Sequence, residues 1–283
     1  MVERLKKAIA KAHAERISKE AAKEGRGSEP AFADRLDLLP HQLTKPGKGG
    51  DLWSSVGVLK VDQKAMDRGR AMTLAEHHPA RISFDILRTR LTKLLRENDW
   101  SRIAVTSSTK GEGKTFVSLN LALSLARNRD NRVMLLDLDL RAPGLSRVLH
   151  TRESLRVDRF LGGEIDPKDY FRRIEDNVIV GLNSRVTPNS AELIQSETAK
   201  EVLEATIRKF QPTIVIYDLP PLMVSDDTIG VLDHVDGALL IAAAGETSTK
   251  EIAESERLIL EHTNLLGVIL NKGEQADTKK YYY

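Results

Sequence analysis

From Arg102 onward, short apolar runs alternate along the chain with segments of helical periodicity. An apolar run of about five residues is typical of a strand buried on both faces, and a helix after each run returns the chain so that the strands lie parallel. The alternation therefore predicts an α/β domain with a mostly parallel sheet covered by helices on both faces. The predicted strands are RIAVTS, RVMLLD, NVIVGL, TIVIYD, ALLIAAA and GVILN.

The composition excludes several kinds of function. The chain has 283 residues and no cysteine, which rules out disulfides, cysteine-ligated zinc and thiol catalysis. Its 43 basic and 41 acidic residues give a net charge of +2, which does not favour nucleic acid as a partner. No stretch reaches the roughly 18 apolar residues of a membrane span, and the N-terminus lacks the apolar core of a signal peptide. We therefore expect a cytoplasmic protein that reaches the membrane only through a partner.

Four segments are predicted along the chain. Residues 1–24 have the pattern of a basic amphipathic helix, which could lie on a membrane surface, dock on a partner or remain solvated. Residues 25–75 are punctuated by Gly, Pro and Ser and predict a flexible linker, docked in places by apolar side chains such as Trp53. Residues 76–275 hold the α/β domain, and residues 276–283 form a C-terminal tail.

The segment VTSSTKGEGKT, residues 105–115, joins a predicted strand to a predicted helix. A glycine-rich loop at such a junction leaves backbone N–H groups free to converge on phosphate oxygens, and the helix N-terminus favours their charge. Lys114 would reach the β- and γ-phosphates, and the Thr115 hydroxyl would ligate magnesium. The full P-loop pattern G-x-x-x-x-G-K-[ST] has glycine where Ser108 stands, so the match is incomplete. The alternative is a glycine-rich turn without a ligand.

The predicted ligand is therefore ATP with Mg²⁺, held along the loop and the start of the helix. The predicted contacts are Ser108, Thr109, Lys110, Gly111, Glu112, Gly113, Lys114, Thr115 and Phe116.

Two aspartates follow the second strand, in VMLLDLDLRAPGL. Asp137 and Asp139 are two residues apart, so both side chains project to the same side of the strand end, where open α/β sheets place their ligand crevice. A bound cation or an arginine would relieve the repulsion between these carboxylates. Arg141 comes two residues later and could meet phosphate. The alternative is a solvated turn with a local ion pair.

Asp218 ends another apolar strand, in TIVIYDLPP, and two prolines stop the strand directly after Leu219. This is the pattern of a Walker B aspartate, which holds magnesium directly or through water. The predicted magnesium ligands are Thr115, Asp139 and Asp218. The order P-loop, DLD, D-x-P-P along the chain predicts a metal–nucleotide site.

The chain ends in KKYYY, and these last three residues are three of its five tyrosines. A chain terminus is usually exposed and mobile, so this tail cannot contribute to a core. It is an artefact, a sticky end or a substrate. Beside a nucleotide site, the pattern favours Tyr281, Tyr282 and Tyr283 as phosphate acceptors.

Together these motifs resemble the bacterial tyrosine kinases, the Walker-motif autokinases that regulate capsular and exopolysaccharide synthesis. The likeness covers roughly residues 75–283 and includes VTPNSAELIQS, VSDD, GVILNK and the tyrosine tail. It implies a P-loop NTPase fold like that of MinD and ParA, and an ATP-dependent tyrosine autokinase. A transmembrane polysaccharide co-polymerase, or chain-length regulator, is implied as activator. A cognate tyrosine phosphatase and assembly into a homo-oligomer are implied as well.

The resemblance assigns catalysis to Lys114, Asp137, Asp139 and Asp218. Asp137 would orient or deprotonate the tyrosine hydroxyl, and the likeness also places Asn271 near the adenine.

The sequence departs from the family in three places. Ser190 replaces a proline, Lys110 replaces the usual proline of the Walker A loop, and the oligomerising motif Glu-x-x-Arg-x-x-Arg becomes Ile82, Asp85 and Arg88.

Two other functions remain open from the sequence. A MinD/ParA-like ATPase switch would hydrolyse ATP to control partner binding and would transfer nothing to tyrosine. A degenerate nucleotide-binding regulator would keep the fold without the reaction.

Overall fold

The computed structural model describes residues 52–61 and 80–273. The strands are Arg102–Ser107 (β1), Val133–Asp137 (β2), Arg172–Glu175 (β3), Val178–Gly181 (β4), Ile214–Asp218 (β5), Gly237–Ala243 (β6) and Asn264–Asn271 (β7). The helices are Leu52–Ser55 (α1), Ala80–Asn98 (α2), Lys114–Ala126 (α3), Leu145–Val148 (α4), Val157–Leu161 (α5), Pro167–Tyr170 (α6), Ser190–Gln195 (α7), Glu197–Phe210 (α8), Asp227–Leu232 (α9) and Thr249–His262 (α10).

The strands form one sheet in the order β3-β4-β2-β5-β1-β6-β7. All neighbours pair in parallel except β3 and β4. Every residue of β2, β4, β5 and β6 is buried, which requires cover on both faces of the sheet. The predicted α/β class with a mostly parallel sheet is confirmed.

Two elements differ from the prediction. β3 was not predicted because its residues, RRIE, are mostly charged, and it adds an antiparallel strand at the edge of the sheet. The segment AELIQSETAKEVLEATIRKF, residues 191–210, has the periodicity of a single helix but forms two, α7 and α8. The break falls at Ser196, which is extended and whose hydroxyl accepts from the backbone N of Ala199 at 3.1 Å, so that it caps the second helix.

Helix α2 carries apolar residues at helical spacing, which is the pattern of an amphipathic helix. Phe84, Leu91 and Leu95 are buried, and the helix packs on α3. The ring of Phe84 meets Phe116 edge-on at 6.4 Å between centroids. This contact holds α2 against α3, the helix that begins at the predicted phosphate loop.

Residues 52–61, inside the predicted linker, contact the edge of the sheet. The Trp53 side chain is buried, and its Nε1 donates to the carbonyl of Phe210 at 2.8 Å. Arg173 N donates to Gly57 O, and Leu59 N donates to Arg173 O, both at 2.8 Å. The segment therefore extends the sheet beyond β3 and covers part of its edge.

The predicted N-terminal helix at 1–24 lies outside the described residues, as do most of the linker and the tail with Tyr281, Tyr282 and Tyr283. Over 52–61 and 80–273, no helix combines the length and the apolar character needed to cross a membrane.

Candidate nucleotide site

The predicted phosphate loop connects the end of β1 to the start of α3, at the carboxyl edge of the sheet. Gly111 and Gly113 have φ values of 86° and 91°, which side chains rarely adopt. Gly113 precedes α3 and supplies no side-chain cap, so the first N–H groups of this helix are left to bind an anion.

Asn271 packs directly on this loop from the end of β7. Its Nδ2 donates to the carbonyl of Glu112 at 2.8 Å. A Cβ added at Gly113 would lie 2.1 Å from the same nitrogen, so only glycine fits there. The structure therefore places Asn271, which the resemblance assigns to the adenine, against the backbone of the phosphate loop.

The loop is also fastened by two polar side chains whose roles the sequence did not reveal. The Ser108 hydroxyl is buried and lies 2.9 Å from the hydroxyl of Ser255 on α10. Its backbone does not adopt a positive φ, so glycine is not required at this position. The buried Glu112 carboxylate accepts from the backbone N of Thr109 at 3.2 Å and from the Thr247 hydroxyl at 2.5 Å.

Three carboxylates and one lysine converge next to the loop. Asp137 and Asp218 lie opposite each other in the register of β2 and β5. Lys114 Nζ is 2.5 Å from Oδ2 of Asp139, and both side chains are largely buried. Ser118, one turn into α3, donates its hydroxyl to Oδ1 of Asp218 at 3.0 Å. The structure thus brings together all four residues predicted to be catalytic.

Burial and mutual repulsion change the pKa values of these groups. Burial, together with the charge of Asp218, holds the pKa of Asp137 well above its usual range. Burial also raises the pKa of Asp218, against the opposing effect of Lys114. For Lys114, burial alone lowers the pKa, but Asp218 and Asp139 outweigh it and raise the pKa above its usual value. Lys114 is therefore a firmly held cation.

The loop after β2 is organised by its own aspartates. Oδ2 of Asp137 accepts from the backbone N of Gly144 at 3.0 Å and of Leu145 at 2.9 Å. Oδ1 of Asp139 accepts from the backbone N of Ala142 at 2.9 Å, which leaves its Oδ2 to Lys114. Both oxygens of Asp137 accept from this loop, so the carboxylate holds the loop in place.

A magnesium ion fits the oxygens at this edge. Among the described residues, Oδ2 of Asp218 is a buried oxygen without a hydrogen-bond partner. The Thr115 hydroxyl also favours the charged form of Asp218. In the described part of the chain, no group of three or more His, Cys, Asp or Glu side chains is arranged like a metal site. Magnesium needs only one or two carboxylates when phosphates and waters complete its shell, so this arrangement suits a magnesium–nucleotide complex.

One predicted phosphate contact, Arg141, is paired with side chains outside the phosphate loop. The Arg141 guanidinium does not point into the phosphate loop but pairs with Asp226 and Asp227 at the start of α9. Asp227 lies 86 residues further along the chain, so this is not the local ion pair that the sequence left open either. The ring of Phe116 serves the contact with α2. Lys110 is exposed on the outside of the loop.

Comparison with known proteins supports a P-loop nucleotide-binding fold for this chain. The ParA family model, described as NUBPL iron-transfer P-loop NTPase, matches residues 100–279. Tyrosine-protein kinase CpsD of Streptococcus pneumoniae is 33% identical over 173 residues, which are 60% of this chain and 75% of that protein. The chain belongs to the bacterial tyrosine kinase family of ParA-like P-loop NTPases.

Other bacterial tyrosine kinases also match the chain. Tyrosine-protein kinase Etk of Escherichia coli K12 is 30% identical over 220 residues, which are 74% of this chain and 29% of Etk. The solved kinase domain of VpsO is 28% identical with a TM-score of 0.60, and the match covers 68% of this chain and 96% of that domain. The bacterial tyrosine kinase fold is therefore supported by sequence and by structure.

Proposed function

We propose that this chain binds Mg-ATP at the phosphate loop and transfers the γ-phosphate to tyrosine. The observation that carries the proposal is the convergence of Lys114, Asp139 and Asp218 at the uncapped start of α3, in a relative of tyrosine-protein kinases. Phosphoryl transfer depends mainly on positioning and on neutralising charge, and this cluster is built for both.

Each residue of the cluster has a distinct part in this reaction. Lys114, kept cationic by its acidic neighbours, supplies positive charge beside the phosphates. The Thr115 hydroxyl, Asp139 and Asp218 would hold the magnesium ion. When bound, magnesium neutralises the phosphate oxygens. Asp137 fixes the loop that carries Asp139, and we keep it as the candidate to orient or deprotonate the tyrosine hydroxyl.

The acceptor that we propose is the tail with Tyr281, Tyr282 and Tyr283, in trans, on another copy. Only two other tyrosines occur in the chain, Tyr170 and Tyr217. Both are buried, and burial raises the pKa of each hydroxyl. Neither hydroxyl is accessible to a second copy, which leaves the tail as the source of acceptors within this chain.

The wider setting belongs to the same proposal. We place the enzyme in the cytoplasm, at the membrane through a transmembrane polysaccharide co-polymerase that activates it. A tyrosine phosphatase would reverse the modification, and the process controlled would be capsule or exopolysaccharide synthesis. The support is the similarity to CpsD and to a putative tyrosine-protein kinase in the cps region of Klebsiella pneumoniae.

A mixing experiment tests transfer between copies. One variant carries Lys114→Met and keeps its tyrosine tail, while the other keeps Lys114 and has all three tail tyrosines replaced by phenylalanine. Neither variant is expected to be phosphorylated alone in Mg-ATP. Their mixture should place phosphate on the tail of the Lys114→Met chain, measured by peptide mass spectrometry.

The outcomes separate the proposed kinase from the ATPase switch. ATP hydrolysis by the wild type without phosphotyrosine in any mixture, including one with the cytoplasmic segment of a candidate activator, would support a MinD/ParA-like switch. Phosphate that appears on the tail in the Lys114→Met chain alone would contradict the assignment of Lys114.

A further inference from the structure

Arg141 connects the acidic loop after β2 to two helices that contribute nothing else to the cluster. Its Nε donates to Oδ2 of Asp227 at 3.1 Å and to the hydroxyl of Ser190 at 3.2 Å. Its Nη2 donates to Oδ1 of Asp227 at 2.9 Å and to the exposed Asp226 at 3.2 Å. We call Arg141, Ser190 and Asp227 the Arg141 clasp. It joins the loop to the start of α7 and the start of α9.

The clasp is anchored at its acidic end. The Asp227 side chain is fully buried, whereas 48% of the Arg141 side chain is exposed. Burial alone would raise the pKa of Asp227, but hydrogen bonds from Arg141 and Ser190 outweigh it and lower the pKa. A buried carboxylate needs such partners, since an uncompensated buried charge is strongly destabilising. Ser190 stands where the family pattern has proline, and its hydroxyl supplies one of these bonds.

The loop that carries Arg141 determines where the Asp139 carboxylate points. The backbone N of Ala142 holds Oδ1 of Asp139, and Oδ2 of the same carboxylate meets Lys114. The carbonyl of Leu140 accepts from the backbone N of Thr187, in the loop that leads to α7. The loop is therefore fixed on one side by its aspartates and on the other by the clasp. Releasing the clasp removes one of the attachments of the residues directly after Asp139.

We propose that Arg141 is a positioning residue of the magnesium–nucleotide site, acting through Asp227 and Ser190 rather than by contact with phosphate. The inference rests on the proposed function for the existence of that site. The planar guanidinium reaches Asp227 and Ser190 at once, which neither lysine nor glutamine can do in the same geometry. Loss of these hydrogen bonds from the guanidinium misplaces Asp139 and weakens magnesium binding. Residues that orient metal ligands typically contribute about 10–100-fold to metal affinity.

Two variants of the full chain separate positioning from folding. Arg141→Gln leaves Asp227 buried without its cation, so its melting temperature should fall. Arg141→Gln/Asp227→Asn replaces the ion pair by neutral amides, so the melting temperature should recover. In both variants, the magnesium concentration for half-maximal binding of a fluorescent ADP analogue should rise about 10-fold or more. A purely structural role predicts that this concentration recovers with the melting temperature.

The matched control is Arg156→Gln. The Arg156 guanidinium also donates to both oxygens of one carboxylate, that of Asp158. This pair is partly exposed and joins α5 to the residue directly before it. The Arg156→Gln variant should show the same magnesium dependence of nucleotide binding as the wild type. An unchanged magnesium dependence in Arg141→Gln, or its recovery in the double variant, would overturn the positioning role alone. Nucleotide binding by the wild type that ignores magnesium would remove the proposed site as well, and with it this inference.

Discussion

The carboxyl edge of the sheet and the aromatic cluster beside α8 are both buried, but they consist of opposite kinds of side chain. At the sheet edge, Asp137 and Asp218 lie side by side with Lys114. In the cluster, Phe160 stacks on Tyr170 at 4.2 Å between ring centroids, and Phe171 lies 5.8 Å from Phe210. Trp53 completes the cluster with an edge-on contact to Phe210.

The two regions affect stability in opposite directions. Raised pKa values at Asp137 and Asp218 mean that their charged forms are less stable in the folded chain than in the unfolded chain. The aromatic rings bury large apolar areas and gain further from their mutual geometry. Groups that destabilise the fold therefore lie where phosphate and magnesium would bind. Groups that stabilise it lie away from that edge.

The largest effect on stability is expected in the aromatic cluster. Phe210→Ala removes a fully buried ring that contacts both Trp53 and Phe171. We expect the free energy of unfolding to fall by about 3–5 kcal/mol, measured by chemical denaturation. ADP binding by the folded variant should be unchanged. A loss of nucleotide binding without a loss of stability would contradict the separation of the two regions.

At the sheet edge, Asp218→Asn should show the reverse pattern. The change removes one of two neighbouring buried carboxylates, so the free energy of unfolding should not decrease. Tyrosine phosphorylation should fall about 100-fold, because the oxygen available for magnesium loses its charge. Denaturation and phosphotyrosine assays on the same preparation measure both. An active variant would contradict the role of Asp218 in the reaction, and a strongly destabilised one would show that Asp218 is a structural residue.

A smaller effect is expected from Trp53→Phe. The phenylalanine keeps a ring in the cluster but cannot donate to the carbonyl of Phe210, the last residue of α8. Leaving that buried acceptor unpaired should lower the free energy of unfolding by about 1–2 kcal/mol. Arg257→Gln, which breaks an exposed pair with Glu261, is the control and should change it by less than about 1 kcal/mol. Equal losses in the two variants would exclude a specific role for the indole.

The sequence predicted those parts of the site that depend on local pattern. Strand–loop–helix order identified the phosphate loop, and strand ends identified Asp137 and Asp218, because parallel strands bring their carboxyl ends to one edge. The sequence pattern did not predict β3, because a short edge strand needs little apolar surface and this one is mostly charged.

Contacts between distant segments could not be predicted in the same way. Arg141 was expected to meet phosphate, but its partners lie 49 and 86 residues further along the chain. The links of Glu112 to Thr247 and of Ser108 to Ser255 span 135 and 147 residues. Nothing in the local pattern indicates these partners, because they are set by how α7, α9 and α10 pack on the sheet.

The central claim, a tyrosine kinase site built on Lys114, is tested most directly by phosphotyrosine mapping. Mass spectrometry of the wild type, Lys114→Met and Lys200→Met after incubation with Mg-ATP compares the buried lysine of the cluster with a partly exposed lysine that pairs with Glu197 on its own helix. Phosphate at Tyr281, Tyr282 or Tyr283 in the wild type and in Lys200→Met, but not in Lys114→Met, is the predicted result. Equal phosphorylation of all three chains would contradict the site, and ATP hydrolysis without phosphotyrosine would contradict the kinase.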